Sequence, residues 1–211
     1  MKERWIDIFE EYGEPHVFSK LTDEELKTFP ENYPEMLSEY FESYGRSSLN
    51  SGIFQMCPPG EYTFIEDSVR KFLKDYDLGS FFMYAYSAFG DIYLWSTEYG
   101  LAELQIIENG LFYSDLFKDT PQLHENSIAA PFFLRTQLGD SFDEDGEELY
   151  GRSLKKLGPL EYGQCYGFVP AVAFGGEQYL KNLQKVDAKA HFAILIQAQP
   201  MTIRKVVKLE N

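Results

Sequence analysis

Between Phe81 and Ser114 the side chains change character every second residue, a period that a half-buried β-strand has and a helix does not. Phe81–Ser87 is rich in aromatic residues, Gly90-Asp91 is a hairpin-type dipeptide, and Ile92–Ser96 returns with Ile92 and Leu94 on one face. Ala102, Leu104 and Ile106 then alternate with Glu103 and Gln105. Asn109-Gly110 matches the two-residue turn that needs positive φ, and Leu111–Ser114 completes the pair. The stretch reads as a four-stranded antiparallel meander. Tyr84 and Tyr86, with Phe81, are expected on one strand face, either as core beneath a helix layer or as a platform for a partner. A sheet must cover at least one face, which favours core.

The flanking sequence supplies helices for that cover. Trp5, Ile8, Phe9 and Tyr12 fall at helical spacing before Gly13 and Pro15. Thr22 and Glu25 form a capping box that opens a short helix over Leu21–Phe29. Pro34 suits the first turn of a third helix, whose apolar stripe is Met36, Leu37, Tyr40, Phe41 and Tyr44, up to Gly45. Ile53–Met56 reads as a strand ended by Pro58-Pro59, and Asp67 can cap a helix that turns Val69, Phe72 and Leu73 inward. Beyond Asp119 the pattern is helical again, with Phe132, Phe133, Leu134 and Leu138 up to Gly139 and Pro131 beginning or kinking the helix; another helix runs from Glu147 to Leu157. The fold class predicted is α+β: an antiparallel meander covered on one side by helices from the N- and C-terminal parts. A domain seam, if there is one, falls near Asp115–Asn126.

The densest punctuation lies in Leu157–Gln199. Leu157-Gly158-Pro159 ends a helix, Cys165–Val169 reads as a buried strand closed by Pro170, and Gly175-Gly176 lets the chain pass close to another backbone. Ala188–Ala198 is apolar on nearly every side, so it is expected to be the central core helix, with Phe192, Ile194, Leu195 and Ile196 all buried.

With 34 acidic against 19 basic residues the chain of 211 carries a formal charge of −15, which repels phosphate backbones and anionic lipid head groups. Nucleic acid and membrane are therefore excluded as direct partners, whereas a basic protein would be steered inward. The charge is uneven. Residues 1–66 hold 14 acidic and 5 basic side chains, and 177–211 hold 3 and 6. No stretch approaches the length of an apolar membrane span and no secretory leader pattern opens the sequence, so a cytoplasmic location is expected. Cys57 and Cys165 show no metal or redox spacing and are expected to be reduced core residues.

The strongest charge constellation is Asp140, Asp143, Glu144, Asp145, Glu147 and Glu148, with no Lys or Arg between Arg135 and Arg152. A calcium loop aligned on Gly146 would place Arg152 where a bidentate glutamate must sit, which defeats the match. The run is then either a solvated acidic loop or a docking patch for a basic partner. His16, His124 and His191 are too scattered for a metal site, no serine sits in a nucleophile elbow, and no phosphate-binding glycine loop is present. Asp91 at a hairpin tip has no legible second catalytic partner, and turn geometry accounts for it. No enzyme activity, metal or cofactor is expected.

The phrases LGPL (157–160), CYGFVPAVAFGG (165–176), NLQKV (182–186) and HFAILIQ (191–197) resemble the C-terminal domain of bacterial immunity proteins linked to type VI secretion. Tyr12-Gly13-Glu14-Pro15, Tyr44-Gly45, Gly52-Ile53-Phe54, Pro58, and Ala88-Phe89-Gly90-Asp91 with Trp95 resemble the GAD-like domain that precedes it. The resemblance implies a GAD-like region over 1–114 and an immunity-type region over 115–211, or the two as one compact unit. It also implies an antitoxin that binds and neutralises a cognate secreted toxin, a nuclease in many such pairs, and the charge of −15 points to a toxin more basic than its antitoxin. The acidic run Asp140–Glu148 is the candidate contact. The alternative is a small-molecule-binding domain or enzyme whose site is assembled from dispersed carboxylates and tyrosines.

Overall fold

The computed structural model describes residues 3–76, 80–114, 118, 120, 127–132 and 141–206. In chain order the elements are α1 (Glu3–Tyr12), β1 (His16–Ser19), α2 (Asp23–Leu26), α3 (Glu35–Tyr44), β2 (Arg46–Leu49), β3 (Phe54–Met56), α4 (Thr63–Leu73), β4 (Phe82–Ser87), β5 (Ile92–Ser96), β6 (Gly100–Gln105) and β7 (Gly110–Ser114). There follow α5 (Tyr150–Leu157), β8 (Gln164–Phe168), β9 (Leu183–Asp187), α6 (Ala188–Ala198) and β10 (Thr202–Val206). The predicted meander β4–β7 is the middle of an eight-stranded sheet ordered β1-β2-β3-β4-β5-β6-β7-β10. All neighbours are antiparallel except β10, which lies parallel to β7. β8 and β9 form a separate antiparallel ribbon.

Strand β5 explains why helices pack on both faces of the sheet, rather than on one as the sequence suggested. Its odd residues Tyr93 and Trp95 join a core built with α1, α3 and segment 127–132, while Ile92 and Leu94 join one built with α4 and α6. Both sets are apolar, so neither face can be left to water. The expected stripes hold: Trp5, Ile8, Phe9 and Tyr12 on α1, and Met36, Leu37, Tyr40 and Phe41 on α3, are buried. The Trp5 indole N–H donates to Met36 O at 3.0 Å, and its ring lies 5.8 Å from Phe132.

A β-bulge in β4 separates Tyr84 from Tyr86. Met83 faces Leu94 and Ala85 faces Tyr93, which leaves Tyr84 as the extra residue. Tyr84 therefore points into the first core, where its hydroxyl donates to Ile128 O at 3.1 Å, and Tyr86 into the second. Both are fully buried.

Other elements depart from expectation for local reasons. The β6–β7 connection is the four-residue turn 106–109 rather than a two-residue one, because Ile106 is drawn into the core and Asn109 alone takes positive φ, at 48°. The Asn109 amide then donates to Gln199 O at 2.6 Å and Ile196 O at 3.3 Å, satisfying carbonyls at the end of α6. Asn109→Ala should cost about 1–3 kcal/mol, read by chemical denaturation, since two half-buried carbonyls would lose their donor. Helix α4 begins at Thr63, ahead of Asp67, with no side-chain cap; Asp67 instead pairs with Arg70 at 2.6 Å on the exposed face. The predicted capping box of Thr22 and Glu25 is present, and Arg46 joins the Glu25 carboxylate at 2.8 Å and that of Glu61 at 2.7 Å.

Segment 127–132 carries helical turns; the rest of the helix expected up to Gly139, and most of the expected seam 115–126, lie outside the described residues. Cys57 and Cys165 are both free and buried.

Helix α6 has the bounds its apolar run predicted, with the Asp187 carboxylate accepting the Ala190 N–H at 2.7 Å as N-cap. Its environment differs. Only Ala188, Phe192 and Leu195 are buried, Ile196 is half-buried, and Ile194 is 54% exposed. The helix lies over one face of the sheet, with its other side outside the core.

Candidate partner-binding surface

The acidic run folds around one of its own members. Asp143 is buried, and one of its carboxylate oxygens accepts the backbone N–H groups of Asp145 at 3.1 Å and Glu147 at 2.9 Å. The other oxygen takes the Arg152 guanidinium at 2.7 Å. Backbone bonds from Asp143 N–H to Glu147 O and from Leu149 N–H to Ser141 O close the loop, with Gly146 at φ 78° as its turn. Arg152, whose position defeated the calcium-loop match, thus supplies the positive charge from within. The same loop occupies 141–149, so α5 starts at Tyr150 rather than Glu147; the Glu148 carboxylate meets the Gly151 N–H at 3.0 Å in its first turn.

Arg152, together with the two backbone donors, holds the Asp143 carboxyl below the ordinary carboxylate range. A depressed value stabilises the fold above the unfolded-state pKa and ceases to do so as pH falls through the folded one. Asp143→Asn should therefore flatten the stability loss between pH 5 and 3, roughly the carboxylate range. Urea midpoints at the two pH values for both proteins measure this; an unchanged difference would show that the pair is not coupled to folding. The buried Glu66, which accepts the Met83 N–H at 3.1 Å, works in the opposite sense, because burial raises its value.

The expected site residues thus divide. Asp143 and Glu148 serve the loop itself. Glu144 holds the loop to its neighbour, its N–H donating to Gln178 O at 3.1 Å and its carboxylate accepting the Gln178 N–H at 2.9 Å. Asp145 and Glu147 are exposed and make no direct ion pair among the described residues. Asp140 lies outside the described residues. Beside the loop runs an open cleft lined by Asp145, Arg152, Lys156, Glu177, Tyr179 and Lys181. Within it the Lys181 ammonium sits 4.8 Å from the Tyr179 ring centroid and pairs with Glu177 at 3.3 Å.

A second surface went unread in the sequence. Val169, Phe174, Val186, Ala190 and Ile194 line an open apolar groove over Phe168, with Asp187 and His191 at its edge. Burial lowers the His191 proton affinity below its ordinary value. The one signal available was Ile194 opposite Phe192 on a helix apolar all round, which periodicity could not assign to solvent.

Among the described residues no three His, Cys, Asp or Glu side chains are grouped as a metal site, and no helix is long and apolar enough to cross a membrane. The molecule is thus an α+β scaffold whose exposed features are an acidic loop, a cleft and an apolar groove. Residues 4–108 match the family described as GAD-like domain, and residues 127–199 match the family described as T6SS immunity protein Tdi1, C-terminal. In that order the two matches cover most of the chain, which thus resembles type VI secretion-linked immunity proteins with an N-terminal GAD-like domain and a Tdi1-type C-terminal domain. The crystal structure of Atu4351 from Agrobacterium tumefaciens is similar, at 25% identity and a TM-score of 0.85 over 99% of this chain and 94% of that one. No curated protein matches the sequence.

Proposed function

We propose that the protein is an immunity protein, a cytoplasmic antitoxin that neutralises a cognate secreted toxin by forming a stoichiometric complex, and that it is a binding protein rather than an enzyme. The observation that carries this reading is the two-part family match, GAD-like then Tdi1-type, over most of the chain. The toxin in this reading is a nuclease with a more basic surface than its antitoxin. A protein that grips phosphate backbones must be basic, and the charge of −15 complements it. The loop carrying Asp143, Glu144, Asp145, Glu147 and Glu148, preceded by Asp140, is the proposed contact. Asp145 and Glu147 face the toxin, and Asp143, Glu144 and Glu148 hold the loop in shape.

Long-range attraction raises the encounter rate, and salt screens it over a Debye length of about 8 Å at physiological ionic strength. The test is stopped-flow mixing of the purified protein with the toxin domain encoded beside it, at two salt concentrations. The association rate should fall at least about tenfold between low and physiological-to-high salt. Binding without salt dependence would remove the steering mechanism; no binding at all would remove the immunity assignment.

A further inference from the structure

We infer that the loop 169–182 and helix α6 form a two-part docking surface: the apolar groove seats a hydrophobic side chain of the toxin, and the adjoining acidic loop receives the basic residues that flank it. The inference rests on the immunity reading above and adds to it the anchor and its place.

Exposed large apolar side chains scattered singly are ordinary, whereas a contiguous set marks an interaction site. Val169 is 43% exposed, Phe174 60% and Ile194 54%, and all three border the same groove. They come from two separate elements, the loop after β8 and helix α6, so their convergence is a product of the fold. The groove is also held in shape. The Val169 N–H donates to Asn182 O at 2.9 Å and closes the loop at its base. Gly176 runs so close to Pro170 that a β-carbon there would lie 1.9 Å from the proline carbonyl oxygen, and its N–H donates to Ala171 O at 3.1 Å. A preorganised groove loses little freedom when an anchor enters it.

Charge selects the occupant. At the groove's edge the Asp187 carboxylate is engaged as the α6 cap, and burial disfavours the charged form of His191, so the seat presents no positive charge to an incoming basic partner. Gln178 is four positions on from Phe174, at most about 14 Å of chain, and is bound reciprocally to Glu144 of the acidic loop. Apolar seat and acidic loop are therefore near neighbours tied together through Gln178, the spacing that a hot spot with a polar surround requires. In the neighbouring cleft the chain's own Lys181 ammonium lies against Tyr179 and pairs with Glu177. A second copy of this chain, itself at −15, and an anionic lipid surface would both be repelled by Asp145 and Glu147. A basic protein with an exposed apolar residue is the complementary partner.

The experiment measures association and dissociation rates of the full-length protein with the toxin domain encoded beside it. The variants are Phe174→Asp, Ile194→Asp and the pair Asp145→Asn with Glu147→Gln, each first shown to melt like the native protein. Phe174→Ser replaces the aspartate should the latter fail to fold. Each groove substitution is expected to raise the dissociation rate about 30-fold or more, as loss of a hot-spot anchor does. The acidic pair is expected to lower the association rate several-fold at low salt while leaving dissociation within about twofold. Groove variants that dissociate at the native rate from a toxin the native protein binds would overturn this inference and leave the immunity reading standing. A native protein that does not bind the toxin overturns both.

Discussion

Phe192→Ala is expected to lower the unfolding free energy by about 3–5 kcal/mol, while Ile194→Ala, two residues on in the same helix, changes it by about 0.5 kcal/mol or less. Phe192 has no exposed surface, and its ring centroid lies 5.3 Å from that of Tyr86 and 6.0 Å from that of Tyr62. It also rests on the Gly90 turn, where φ is 89° and an added β-carbon would stand 2.8 Å from the phenylalanine ring, so truncation removes a close contact between helix and turn. Leu195, buried beside it, should lose about 2–5 kcal/mol as alanine. Ile194 touches no such core. Guanidinium titrations of the three variants at one pH read the difference; equal losses at 192 and 194 would show that α6 is rotated from the orientation described.

Cutting the chain between its two regions should leave neither part folded. The first core joins Trp5, Tyr40 and Phe54 from the GAD-like region to Phe132, Leu160, Tyr166 and Phe168 from the other, and the second joins Ile65 and Val69 to Phe192 and Leu195. Backbone groups cross as well. The Tyr166 N–H donates to Ala88 O at 2.7 Å, the Leu160 N–H to Ser51 O at 3.1 Å, and the whole of β10 lies parallel against β7. Expressed alone, residues 1–114 would expose both inner surfaces of their sheet and an unpaired β7 edge, a template for aggregation. Circular dichroism and thermal denaturation of the isolated fragment should show no cooperative transition; a sharp melt would establish an independent domain.

Much of this architecture was legible because local signals and global packing agree. The meander, the stripes on α1 and α3, the Thr22–Glu25 box and the ends of α6 follow from period and capping alone. Strands β1 and β2 escaped notice, being only four residues each and in β1 exposed throughout, so neither alternation nor apolarity marks them. The bulge at Tyr84 and the turn at Asn109 depend on partners far away in sequence, which period cannot report. On α6, apolar residues all round suggested burial all round, and the error falls where the helix lines a groove. The acidic run was visible as charge, yet its division into a buried, Arg152-paired Asp143 and an exposed Asp145 and Glu147 needed the fold. Pattern and structure thus part where a residue's partners lie far away in sequence and where a helix faces a groove.

Direct, stoichiometric capture of a toxin can be read from co-expression with the toxin domain encoded beside this protein, followed by size-exclusion chromatography with light scattering. Growth should be restored, and the two proteins should elute as one complex of fixed stoichiometry. Cells that still die while the two proteins elute apart would rule capture out.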